Sequence, residues 1–82
     1  MPRYFLHIGE LDTDPEGTEL PDIEAARREA TLSAREMLAE WIIVGAEDIP
    51  TRIVITDAAG TALAVVYMRD VLPRALRDGL KT

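Results

Sequence analysis

The chain has 82 residues, a formal net charge of −6 and no cysteine. A chain of this length forms one domain, which we take to span residues 1–82, and buries only about 60% of its unfolded surface. The absence of cysteine excludes disulfides and thiol chemistry. The acidic balance disfavours nucleic-acid binding, because that binding depends on neutralising phosphates.

The opening Met1–Tyr4 lacks a charged stretch leading into a long apolar run, so it does not resemble a signal peptide. The longest apolar runs, Trp41–Val44 and Ala62–Met68, are far shorter than the roughly 18 residues needed to span a bilayer. We therefore expect a cytoplasmic protein without a membrane segment.

The first third of the chain predicts two short strands. Alternating apolar residues over Arg3–Ile8 indicate a strand with Tyr4, Leu6 and Ile8 on one face. An acidic stretch with Pro15 and Gly17 follows and predicts a tight turn. Residues Thr18–Leu20 then return as a second strand beside the first.

A long amphipathic helix is predicted from about Asp22 to Val44. Asp22 can cap its amino end, Glu24 and Arg28 have the spacing of a helical ion pair, and Gly45 is suited to end it. The apolar residues recur at intervals of three and four and form one stripe. The stripe consists of Ile23, Ala26, Ala30, Ala34, Met37, Leu38, Trp41 and Ile42.

The carboxyl-terminal third predicts a hairpin followed by a short helix. Strands Arg52–Asp57 and Thr61–Met68 are joined by a turn through Asp57–Gly60, in which Gly60 supplies a positive φ. The second of these strands is apolar on both faces. Asp70 could cap a last helix that runs through about Arg77, with Pro73 in its first turn.

Alternating strand directions give a ββαββ chain whose three- to four-stranded antiparallel sheet has the candidate order 2-1-3-4. One long helix packs on this sheet, and the fold class is α+β. The order places the apolar fourth strand on an edge, where unpaired backbone groups favour association with another chain. We therefore predict a homodimer; the alternative is a monomer in which the carboxyl-terminal helix covers the second face of the sheet. The predicted interface residues are Trp41, Ile42, Val44, Ala64, Val66 and Met68.

The acidic turn offers the only candidate metal ligands, Asp12, Asp14 and Glu16. Their spacing is similar to the start of a calcium loop, which requires a bidentate glutamate where this chain has Ile23. We interpret the segment as a solvated turn and assign no metal or cofactor. A weak divalent site on these three acids is the alternative.

The sequence contains few candidate catalytic residues. His7 is the only histidine and lies on the first strand, where we expect a packing role, with a charge-switching or ligand-contacting role as the alternative. Ser33 lies within the long helix with no base at a recognisable spacing. We therefore predict a protein that is not an enzyme. Arg27, Arg28 and Arg35 lie off the apolar stripe and are interpreted as a solvated helix face, the alternative being a partner-binding patch.

Several segments together resemble a family of short bacterial proteins that form a domain of unknown function. The resemblance rests on Met1–His7, Glu16–Ala26, Ala30 with Ser33–Arg35, and Ile55–Gly60, with Leu6 where phenylalanine is commoner. It implies family membership but no activity, cofactor or catalytic residue. Residues 17–30 are also loosely similar to small antitoxin domains of the HicB type.

Three hypotheses for function follow. The first is a non-enzymatic binding or regulatory module that acts through homodimerisation. The second is an antitoxin-like protein whose acidic residues 10–24 bind a basic protein partner. The third is a small metal-binding or enzymatic protein that uses His7 and the acids at positions 12–16.

Overall fold

The protein is a two-layer arrangement of one antiparallel sheet and one long helix. The structure is a computed structural model and describes residues 1–9 and 14–79. The sheet has the order β2-β1-β3-β4, with each neighbouring pair antiparallel, so the predicted α+β fold and strand order are confirmed. The elements are β1 (Arg3–Ile8), β2 (Thr18–Glu19), α1 (Ile23–Val44), β3 (Arg52–Thr56), β4 (Ala62–Tyr67), a 3-10 helix (Met68–Val71) and α2 (Arg74–Gly79).

The core lies between α1 and one face of the sheet. Ala26, Ala30 and Ala34 are fully buried, and among the described residues Ile53 and Ile55 are the only large side chains that are fully buried. The predicted apolar stripe packs in or against the core from Ile23 to Trp41, and its small alanines let the helix backbone approach β3 and β4 closely. The core is therefore thin, because alanine contributes little buried apolar area.

Both ends of α1 are set by the predicted residues. The Asp22 side chain accepts a hydrogen bond from the Ala25 backbone N–H at 2.9 Å, which satisfies one of the free donors of the first turn. Gly45 adopts a left-handed conformation with φ of 69° and ends the helix. The helix boundaries therefore follow from local chemistry that is visible in the sequence.

The carboxyl-terminal turns of α1 extend beyond the sheet. A helix of 22 residues is about 33 Å long, whereas a strand of six residues spans about 20 Å. Trp41 is half-buried, but Ile42, Ile43 and Val44 are exposed. Ile42 was predicted on the buried stripe, and it is exposed because the sheet no longer lies beneath it.

The edge of β1 beyond β2 is completed by a side chain. β2 pairs with β1 only at Arg3–Glu19 and Tyr4–Thr18, and it is shorter than the predicted Thr18–Leu20. The next outward N–H of β1, that of Leu6, donates to the Asp14 carboxylate at 3.3 Å. The same carboxylate accepts from the Gly17 N–H at 3.0 Å. Asp14 thus replaces a strand residue in the hydrogen-bond ladder.

The β3–β4 hairpin turns through Asp57–Gly60 as predicted. The Asp57 side chain accepts hydrogen bonds from the backbone of Ala59 and Thr61, both at 2.9 Å, and Gly60 has a φ of 84°. The register shifts near Thr56, which pairs with Ala62 while Ile55 pairs with Ala64. This irregularity leaves Leu63 as an extra residue at the start of β4, as in a β-bulge.

The carboxyl-terminal segment differs from its prediction. β4 ends at Tyr67, and Asp70 lies in a 3-10 helix rather than at the cap of an α-helix. Leu72, which precedes Pro73, is extended with ψ of 152°, because proline disfavours helical geometry in the residue before it. α2 therefore begins at Arg74. It makes no extensive contact with the sheet, so the alternative in which this helix covers the second sheet face does not hold for the described residues.

Candidate association surface

The outer edge of β4 presents unpaired backbone groups. The Met68 N–H donates to the Thr51 carbonyl at 2.9 Å. In the register of β3 and β4, hydrogen-bonded and non-hydrogen-bonded pairs then alternate, so Ala64 and Val66 direct their N–H and C=O groups toward β3. Val65 and Tyr67 direct theirs away from the sheet. No described strand lies on that side.

The side chains of β4 divide between the two faces of the sheet. Ala64 and Met68 are buried beneath α1, and Val66 is packed against the same core. On the opposite face, the Leu63 side chain is 43% exposed and that of Tyr67 is 45% exposed. The fourth strand is therefore not enclosed by the described chain, although its inner face is.

An apolar groove lies at the end of β4. Its volume is 490 Å³ and its lining combines the end of the strand, the loop before β3, the 3-10 helix and one residue of α1. Tyr67 belongs both to this groove and to the open edge of β4. The groove is lined by Leu38, Ile49, Pro50, Thr51, Tyr67, Met68, Arg69 and Leu72.

A second apolar surface is the overhanging end of α1. The exposed fractions of Ile42, Ile43 and Val44 are 70%, 79% and 65%. Three consecutive residues of a helix span about 200° of its circumference, so one neighbouring element cannot bury all three side chains at once.

The chain exposes more surface than its mass predicts. Its accessible area is 5880 Å², whereas a compact monomer of 9.1 kDa exposes about 4,900 Å². The radius of gyration is 13.4 Å, compared with about 11.7 Å expected for 82 residues. The excess of about 1,000 Å² is comparable to the roughly 800 Å² that each partner buries in a stable interface.

The predicted interface residues lie in different environments. Ile42 and Val44 are exposed, Trp41 and Val66 are half-buried, and Ala64 and Met68 lie in the core. The side chains of Ala64 and Met68 are therefore largely buried, although Met68 also lines the apolar groove. Their part of the strand can take part in association through its backbone edge and through the neighbours Leu63, Val65 and Tyr67.

These neighbours were missed by the sequence analysis because the inner and outer faces of β4 are equally apolar. Period-two alternation separates Leu63, Val65 and Tyr67 from the core residues, but it does not indicate which set faces the helix. The groove residues Ile49, Pro50 and Leu72 come from loops and a 3-10 turn, for which the sequence carries no periodic signal.

The described part of the acidic turn has a structural role. Asp12 lies outside the described residues. Asp14 is committed to the Leu6 and Gly17 N–H groups, and Glu16 is exposed. Among the residues that the structure describes, no three His, Asp or Glu side chains are grouped to hold a metal ion.

His7 lies on the face of the sheet opposite α1. Its Nε2 atom is 3.0 Å from the hydroxyl oxygen of the buried Thr56, a hydrogen bond between β1 and β3. The ring is half-buried. This geometry fits the packing role expected for His7, because one of its two ring nitrogens bonds within the sheet.

Comparison with family models identifies the family of the chain. A model described as DUF6894, a domain of unknown function, matches residues 3–79. The chain belongs to the DUF6894 family. Membership in the DUF6894 family agrees with the resemblance to a domain of unknown function, whereas the bacterial origin, the opening motif and the likeness to HicB-type antitoxins stay predictions.

Other comparisons add no further relatives. No curated protein and no solved structure matches the chain. Within residues 1–9 and 14–79, no helix is both long enough and apolar enough to cross a membrane.

Proposed function

We propose that this DUF6894 protein is a non-enzymatic binding module that works as a homodimer, with the open edge of β4 as the contact between the two copies. The observation that supports this most strongly is the combination of an unpaired strand edge with about 1,000 Å² of excess surface. A compact monomer of this mass would expose about 4,900 Å².

The contact joins β4 of one copy to β4 of the other in an antiparallel pair. A twofold axis at Val65 lets the outward N–H and C=O groups of Val65 and Tyr67 pair with those of the second copy. The sheet then continues across the dimer, and Leu63 and Tyr67 of both copies bury their exposed area on one face. In this register Tyr67 lies opposite Leu63 of the second copy, so the irregular pairing of Leu63 with β3 falls at the two ends of the contact.

A second copy suits this edge better than an unrelated strand. The same surface pairs with itself about a twofold axis, so every unpaired donor on one copy meets an unpaired acceptor on the other. The apolar groove beside Tyr67 lies at each end of the contact and provides room for side chains of the second copy.

Light scattering on the purified chain tests the proposal. We expect a mass of about twice 9.1 kDa at micromolar concentration. The Tyr67→Lys variant should shift the mass toward the monomer, because a lysine on a strand edge opposes edge-to-edge pairing. The matched control is Leu32→Lys, which places the same charge on an exposed residue of α1, on the other side of the sheet from Tyr67.

Wild-type protein that stays at the monomer mass over the whole concentration range would remove the homodimer. Equal dissociation by Tyr67→Lys and Leu32→Lys would indicate that the contact is not at the β4 edge.

A further inference from the structure

The outward side of α1 carries a basic groove that the proposed homodimer does not use. The groove has a volume of 360 Å³ and is called the arginine groove below. Three arginines and one glutamate among its lining residues give a local charge of +2, in a chain whose net charge is −6. The arginine groove is lined by Glu24, Arg27, Arg28, Thr31, Leu32 and Arg35.

Within residues 1–9 and 14–79, none of the three guanidinium groups forms an ion pair. Among the described residues, the one ion pair within 4.0 Å joins Arg3 to Glu19. The helical pair expected between Glu24 and Arg28 is not formed, although both residues line the groove. The Thr31 hydroxyl donates to the Arg27 carbonyl at 2.9 Å, so the guanidinium groups are the donors left to bind a ligand.

The spacing of the arginines determines how far apart two anionic groups of a ligand must be to bind both of them. Arg28 and Arg35 are seven residues apart, which places them about 10.5 Å apart along the helix axis. Leu32 lies between them and is 49% exposed. Two carboxylates seven residues apart on a helix match this spacing, as do two carboxylates three residues apart on an extended chain, at about 10 Å.

We propose that the arginine groove binds an acidic segment of a partner protein, with two carboxylates on Arg28 and Arg35 and an apolar residue between them on Leu32. Arginine favours carboxylates because its planar fork donates two parallel hydrogen bonds to both oxygens. Nucleic acid also presents anions at this scale, but the net charge of −6 opposes a polyanion that extends beyond the groove. Each copy of the protein has its own groove, so the proposal holds for a monomer and a dimer alike.

Fluorescence anisotropy with a synthetic helical peptide tests the arginine groove. The labelled peptide has glutamates seven residues apart with a leucine midway, and its control has glutamines in their place. We expect the glutamine peptide to bind at least about tenfold more weakly, because it loses the charge of both contacts. In a ¹⁵N-labelled sample, amide shifts on adding the glutamate peptide should cluster at residues 24–35.

Two variants of equal charge separate the groove from the net charge. Arg28→Glu with Arg35→Glu should weaken peptide binding at least about tenfold. Arg74→Glu with Arg77→Glu changes the net charge by the same amount, but on α2. This variant should bind the peptide within about twofold of the unmodified protein. Circular dichroism checks the fold, and Arg28→Gln with Arg35→Gln provides a milder version if the charge reversal disturbs α1.

Three results would overturn the proposal. They are no binding of the glutamate peptide, equal weakening by the two charge-matched variants, and tighter binding of a double-stranded DNA probe than of the peptide. None of these results bears on the mass of the protein, so the arginine groove and the homodimer are tested separately.

Discussion

Two neighbouring residues hold the amino-terminal part of the sheet together. Asp14 replaces a missing strand residue by accepting from Leu6 and Gly17. Gly17 has a φ of 68° and lies so close to β1 that a Cβ atom there would be 2.8 Å from the Phe5 ring and 2.9 Å from the Tyr4 carbonyl oxygen. Both residues thus join the acidic turn to the first strand.

Removing the Asp14 carboxylate should destabilise the fold. Asp14→Ala leaves two partly buried N–H groups without an acceptor, at a cost of about 1–3 kcal/mol in the free energy of unfolding. Urea denaturation measures the change. Glu47→Ala is the control, because Glu47 is exposed and makes no hydrogen bond among the described residues. A loss below that of the control would show that Asp14 has no such role.

Gly17 and Gly60 separate backbone strain from steric overlap. Both have a positive φ, but a Cβ at Gly60 would meet nothing within 4 Å. Gly60→Ala should therefore cost only the left-handed strain of about 1–2 kcal/mol. Gly17→Ala adds overlap with Phe5, which brings the total to about 2–5 kcal/mol. Thermal unfolding of the two variants measures the difference, and similar values for both would contradict the packing at Gly17.

Local chemistry made some of these residues predictable. Asp22, Gly45 and Gly60 act through the backbone next to them, so their roles follow from the sequence. Asp14 was predicted only as part of a solvated turn, because its partner Leu6 lies on another strand and the pairing depends on how far β2 extends. The same holds for His7, whose partner Thr56 is 49 residues away.

At the scale of elements, the alanine stripe of α1 sets the distance between helix and sheet. Ala26, Ala30 and Ala34 are all fully buried, over the fully buried Ile53 and Ile55. Close packing leaves no room for larger side chains there. The stripe and its direction were predictable from the period of 3.6 residues, whereas the point at which the sheet ends beneath α1 was not.

Enlarging the stripe should weaken the fold. Ala30→Leu should cost about 1–3 kcal/mol through overpacking. Ala39→Leu introduces the same side chain at an exposed position of the same helix and should change stability by no more than about 0.5 kcal/mol. Urea denaturation of the pair tests this, and equal effects would mean that the helix does not pack closely at Ala30.

At the scale of the whole molecule, the long dimension is 40 Å and the short one 18 Å. This elongated shape places the overhang of α1, the open edge of β4 and the apolar groove in solvent. The edge position of β4 agrees with the candidate order 2-1-3-4, which the strand directions allow but do not require. The division of its side chains was not predictable, because both faces of the strand are apolar and only the tertiary contact with α1 distinguishes them.

The overhang offers a second test at this scale. Ile43→Lys removes an aliphatic residue that is 79% exposed, so the free energy of unfolding should change by no more than about 0.5 kcal/mol. If the overhang lies outside the contact between copies, the mass of the dimer should also be unchanged by light scattering. If Ile43→Lys dissociates the dimer and Tyr67→Lys does not, the contact between the copies is at the end of α1 and not at β4.

Amide hydrogen exchange along β4, measured over a range of protein concentrations, tests the dimer contact most directly. The N–H groups of Ala64 and Val66 point to β3 and should be protected at every concentration, which makes them internal controls. If β4 pairs with a second copy, the Val65 and Tyr67 amides will be protected at high concentration and will lose that protection on dilution. Rapid exchange of Val65 and Tyr67 at all concentrations, with Ala64 and Val66 still protected, would contradict the proposed pairing.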